Sequence, residues 1–123
     1  TEYNEALKYF EAIKNDTVKS IVIKNLSRAY IDLGYTKKAD DLCGRALAIA
    51  KRTGDECRKA GAFSNKGLTY RHFGQIKESV DYHETALKIF KELGDQLWEG
   101  IALCLLGRAL MDQDKNSITN GVQ

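Results

Sequence analysis

Proline is absent from all 123 residues, where average usage of roughly 5% would place about six. Its absence excludes Pro-rich linkers and argues against all-β folds rich in Pro/Gly turns. It suits a chain that is helical nearly throughout, because proline removes a backbone donor and breaks helix interiors. An excess of charge of one sign is also missing. The 19 basic and 17 acidic residues leave a formal net charge of +2, which gives no dominant field for nucleic acid. Lys37-Lys38, for instance, is followed at once by Asp40-Asp41. The longest apolar run, Ile101 to Leu106, falls far short of the ~20 residues a membrane helix needs, so neither nucleic acid nor membrane is expected as a partner. Cysteine is sparse. Cys43, Cys57 and Cys104 form no C-x-x-C pair and no even framework, and they read as reduced, packed thiols of an intracellular, cytoplasmic protein. No signal peptide is visible, and Thr1 opens the chain, so a fragment or a processed product is expected. The 43% hydrophobic and 29% charged residues are those of an ordinary folded domain.

Against these absences stands a repeat. Shifting the chain by 40 brings Asn25 onto Asn65, Tyr30 onto Tyr70, Gly34 onto Gly74, Ala46-Leu47 onto Ala86-Leu87, and Gly54-Asp55 onto Gly94-Asp95. Residues 15 to 55 share 12 identities with residues 55 to 95, where chance gives roughly two or three. The echo runs outward, with Ala6-Leu7 before Ala46-Leu47, and with Ala62 and Gly67 returning as Ala102 and Gly107. Each unit holds two helical stretches. Ile23, Leu26, Ser27, Tyr30 and Leu33 follow one helix face, and Ala39, Leu42, Cys43, Ala46, Leu47 and Ala50 follow another. Gly34 and Gly74 supply left-handed residues that end a helix. In Gly54-Asp55 and Gly94-Asp95 the glycine ends one helix and the aspartate caps the next. Asn15-Asp16 carries a cap without the glycine. The spacing predicts helices over about 2–14, 17–33, 36–53, 56–73, 76–92 and 96–112. The polar residues 113–123 are expected to fray.

Ser27, Gly67 and Gly107 sit mid-helix at one repeated position, where glycine costs ~1 kcal/mol relative to alanine. Such a position needs a packing reason, namely the close approach of a partner helix. Tyr30 and Tyr70 would fill the space one turn further on. The result is a helix hairpin whose face is completed only when the next hairpin stacks on it.

Leu26-Ser27-x-x-Tyr30, Gly34, Ala39 and Ala46-Leu47, followed by Gly67-x-x-Tyr70, Gly74, Ser79 and Ala86-Leu87, fall at the signature positions of the tetratricopeptide repeat. The chain resembles that family over about residues 1–112. The 40-residue period and the string Tyr82-His83…Ala86-Leu87-Lys88-Ile89…Gly94-Asp95…Glu99-Gly100 are similar to the longer variant in G-protein signalling modulators of spindle orientation and in large multi-repeat animal scaffolds. Lys51 and Lys91 stand where the 34-residue form usually has proline. Leu110 replaces the tyrosine of the last unit, and Asp114 falls where its glycine would be. The resemblance implies an all-α, right-handed solenoid of stacked antiparallel hairpins, about six helices. A half repeat (1–14), full repeats 17–53 and 56–92 and a half repeat (96–112) would precede the polar tail. The strongly apolar Ile101–Leu106 is not a polar cap, so adjacent repeats of a longer parent chain are expected.

Residues with chemistry are few. His72 and His83 are eleven apart and lack Cys or carboxylate partners at ligand spacing, so no metal is expected. His83 reads as packed at the helix pair and His72 as partly solvated. No P-loop, Rossmann glycine pattern or nucleophile elbow is present, and Ser27, Ser64 and Ser79 lack a base. Glu84/Lys88 and similar pairs suit solvated helix surfaces. Neither catalysis nor a cofactor is expected.

In the family resembled, the first helix of each pair lines the concave side. Carried over by register, the inward positions are Ile21, Lys24, Asn25 and Arg28; then Gly61, Ser64, Asn65 and Leu68 with Arg71 one turn on; then Ile101, Cys104, Leu105 and Arg108. Lys24, Arg28, Arg71 and Arg108 make this surface positive. The amides of Asn25 and Asn65 can hold the backbone of an extended peptide, and arginine captures carboxylates bidentately. The expected function is a protein-interaction scaffold binding an extended or partly helical acidic peptide. A regulatory or sensor segment of a larger multidomain protein is the alternative. A clamp for a chaperone C-terminal carboxylate fits poorly: Lys24 and Asn65 match it, but Arg28, Ile101 and Leu105 do not.

Overall fold

The computed structural model describes the backbone of residues 2–121 and the side chains of residues 4–116. Six helices follow one another: α1 (Glu2–Ala12), α2 (Asp16–Asp32), α3 (Thr36–Thr53), α4 (Glu56–His72), α5 (Ile76–Leu93) and α6 (Gln96–Gly121). The punctuation in the sequence sets their ends. The side chains of Asn15, Asp55 and Asp95 accept the N–H groups of Val18, Arg58 and Trp98 at 3.1, 3.0 and 3.1 Å, satisfying donors that a helix N-terminus leaves free. Gly54 and Gly94 close α3 and α5 in the left-handed region at φ 70° and 69°. Their following N–H groups, from Asp55 and Asp95, donate back to the carbonyls of Ala50 and Phe90, the wrap-around bond that a left-handed terminus allows.

The last helix departs from expectation. Residues 113–121 continue α6 instead of fraying, and residues 122–123 lie outside the described residues. Asp114 occupies the register of Gly34 and Gly74 and offers no left-handed stop, and no glycine or proline intervenes before Gly121. The Arg71–Asp112 ion pair also ties this turn to α4.

Each helix packs on the next from α1 to α6, and α4 also touches α2 and α6. The core is accordingly strung out. Phe10, Ile23, Leu42 and Ile49 form one cluster; Ile31, Ala39 and Leu68 form a second; Ala60, Ala86, Leu87, Phe90 and Ala102 form a third. Tyr30 packs against both of the first two. This is an all-α solenoid of stacked hairpins, with each element held by its neighbours.

The mid-helix small residues divide. A Cβ on Gly67 would meet the His83 ring at 2.5 to 2.8 Å, so α4 and α5 approach through a gap that only glycine leaves. The Ser79 hydroxyl reinforces the joint by donating to the Gly67 carbonyl at 2.7 Å. Buried Ser27 turns its hydroxyl onto the Ile23 carbonyl at 2.7 Å. Gly107 has no such neighbour: a Cβ there meets nothing within 4 Å, because no helix of the described residues occupies the place that α5 holds beside α4. The thiols divide as well. Cys43 is buried, but Cys57 and Cys104 are exposed and not packed as expected. Cys57 lies in the first turn of α4, and Cys104 lies on the side of α6 away from buried Ala102 and Ala109.

Candidate binding groove

Because α2, α4 and α6 are related by the 40-residue period and α4 touches both of the others, equivalent turns of the three helices border one cavity of about 440 Å³. From α2 come Ser20, Lys24 and Arg28; from α4 and its cap, Asp55, Cys57, Arg58, Gly61, Ala62, Ser64, Asn65 and Leu68. From α6 come Trp98, Ile101, Ala102 and Leu105, while Ala46 of α3 and Phe90 of α5 reach it from behind.

Of the positions expected to face inward, Lys24, Arg28, Gly61, Ser64, Asn65, Leu68, Ile101 and Leu105 are thus brought together. Ile21, Asn25, Cys104 and Arg108 are exposed and do not border the cavity. Arg71 lies outside it too, with its guanidinium engaged by Asp112. Its charge is therefore matched by a carboxylate that the register argument left out.

The rim is positive without being uniformly so. Lys24 places its ammonium 5.0 Å from the centroid of the Trp98 ring, a cation–π contact that joins α2 to α6. Lys24 forms no ion pair among the described residues. Arg28 has Asp32 at 3.9 Å, both largely exposed, an arrangement that contributes little. Asp55, the one carboxylate bordering the cavity, is held by Arg58 at 3.0 Å and by its capping bond. Behind Trp98 the Phe90 ring stacks at 5.9 Å and 20°, so the back wall is aromatic.

Sequence reasoning missed Arg58 and Trp98, although the signal was available. They stand 40 residues apart, one turn before Gly61 and Ile101, and the inward register simply extends one turn further toward the helix N-termini. Ala46 and Phe90 carried no such signal, because they belong to the second helices.

Away from the cavity the titratable groups serve packing. Burial pushes the Cys43 thiol up to about 11, against a smaller pull from the Thr69 hydroxyl, so this sulfur stays protonated and unreactive. Burial lowers His83 to about 4, and the charges of Arg108 and Arg71 push in the same direction, so the ring is neutral at pH 7. Burial disfavours the Lys66 ammonium, but its 3.0 Å contact with Asp40 more than offsets this and raises it above its ordinary value. Among the described residues no group of three or more His, Cys, Asp and Glu side chains could hold a metal ion, and no helix is long and apolar enough to cross a membrane.

Two family models, both of the tetratricopeptide repeat, match the chain, one over residues 22–56 and the other over residues 58–117. No curated protein matches it.

Proposed function

Since the chain belongs to the tetratricopeptide-repeat family, whose repeats mediate protein–protein interaction, we propose that the face shared by α2, α4 and α6 binds an extended or partly helical acidic segment of a partner protein. The observation that carries this reading is the meeting of Lys24, Arg28 and Arg58 at the border of one cavity with the amide of Asn65. Lys24 and Arg28 receive carboxylates. Asn65 and Ser64 exchange hydrogen bonds with the peptide backbone, and Leu68 supports its apolar side. Asn25, Arg71 and Arg108 form the outer margin, with Arg71 available to the extent that it exchanges Asp112 for a ligand carboxylate. The family's role as a non-catalytic module agrees with this assignment. The 40-residue period supports a further likeness to the G-protein signalling modulators, and with it a role as a cytoplasmic signalling scaffold.

The test is fluorescence polarisation with a labelled decapeptide of Asp, Glu, Ser and Gly. Binding is expected to weaken as salt rises, and Lys24→Glu or Arg28→Glu should weaken it by about ten-fold, since like charges across an interface repel. Unchanged affinity in both variants would remove the reading.

A further inference from the structure

We propose that the cavity is a receptor for one bulky apolar side chain, aromatic or leucine-like, carried by the bound acidic segment. This rests on the peptide reading of the same face and adds what the segment must contain.

A surface that only matched carboxylates would need no depth. Here the wall behind the charged rim is apolar and comes from four helices: Ala46 of α3, Ala62 and Leu68 of α4, Phe90 of α5, and Trp98 and Ala102 of α6. Small residues leave the space. The three alanines fill little volume, and Gly61 fills none. The resulting volume, about 440 Å³, exceeds the ~150 Å³ apolar cavity that accepts a benzene molecule and lies within the roughly 300–1,000 Å³ of ligand pockets. The Phe90–Trp98 stack gives an entering ring an aromatic wall. Charge complementarity fixes the neighbours of that side chain. Lys24 and Arg28 border the cavity on α2, while its one carboxylate, Asp55, is already paired with Arg58. An apolar residue flanked by acidic ones meets both features.

Trp98 is the only tryptophan, so its emission reports occupancy. The probes are capped decapeptides of Asp, Glu, Ser and Gly carrying Phe, Leu or Ala at the centre, titrated against the full chain by tryptophan emission and by polarisation. The Phe and Leu peptides are expected to bind about ten-fold or more tighter than the Ala peptide and to shift the Trp98 emission. Gly61→Leu is the filling variant. A Cβ at Gly61 meets nothing within 4 Å, and its φ is not in the positive region, so the added side chain enters open space without backbone strain. It should remove the preference for Phe over Ala. If circular dichroism shows that this variant does not fold, the Phe-to-Ala ratio of the unaltered chain decides alone. Equal affinities for the Phe and Ala peptides, both weakened by Lys24→Glu, would overturn the apolar receptor and leave the acidic groove standing. Failure of every peptide to bind would overturn both.

Discussion

The imidazole of His83 lies where a side chain on residue 67 would have to go. All three nearest contacts of a Gly67 Cβ are atoms of that ring, at 2.8 Å or less, and the ring is 1% exposed, so it has no room to retreat. Gly67→Ala should therefore destabilise the chain by about 1–3 kcal/mol through overpacking, even though alanine favours the helix by ~1 kcal/mol. Gly107→Ala, made at the same repeat position with open space around it, should instead stabilise by up to ~1 kcal/mol. Thermal melts of the two variants should move in opposite directions. The same ring carries a pH dependence. His83 stays neutral when folded down to about pH 4, whereas its ordinary value is 6.5. The unfolded chain thus takes up the proton first, and stability rises with pH across this interval. The contribution is complete above about pH 6.5 and is lost as pH falls toward 4. Melting temperatures at pH 7.5 and 4.5 should differ less in His83→Gln than in the unaltered chain.

At the scale of the element, helix ends are where the sequence speaks most plainly, because each boundary is made by one residue's own chemistry. Gly54-Asp55 and Gly94-Asp95 end one helix and cap the next regardless of what packs around them. Replacing Asp95 by alanine should cost about 1 kcal/mol, seen as a lower urea midpoint with an unchanged slope. The carboxy-terminal part of α6 was not legible for the converse reason: the sequence contains no stop, and the anchor, Asp112, works through Arg71 from another helix. The groove shows the same divide. Lys24, Ser64, Asn65 and Leu68 could be placed by register because they repeat on the first helices. The depth behind them depends on Ala46 and Phe90 of the second helices, and on Trp98 leaning on Phe90. The spacing along a single helix does not reveal how far a neighbouring hairpin leans in. For that reason the register predicts only a positive surface where the chain has a basic rim over an apolar hollow.

Across the whole molecule, stability has to be passed from helix to helix, since no element reaches the far end of the stack. α4 is held by α2, α3, α5 and α6, whereas α1 rests on α2 and, through Phe10 and the Glu11–Arg45 ion pair, on α3. In such an array local openings start where neighbours are fewest. Amide hydrogen exchange should accordingly be slowest in α4, intermediate in α3 and α5, and fastest in α1. Protection in α6 should fall beyond Asp112, where Leu110 and Met111 are already 40% and 62% exposed. Substitutions should spread by the same rule. Gly67→Ala acts on the element that all the central helices share and should raise exchange in every helix. Asp95→Ala loosens one end and should raise it mainly in α6. Equal exchange rates in α1 and α4, with both variants affecting every helix alike, would mean that the chain opens as a single unit and that the hairpins do not stand in a nearest-neighbour stack.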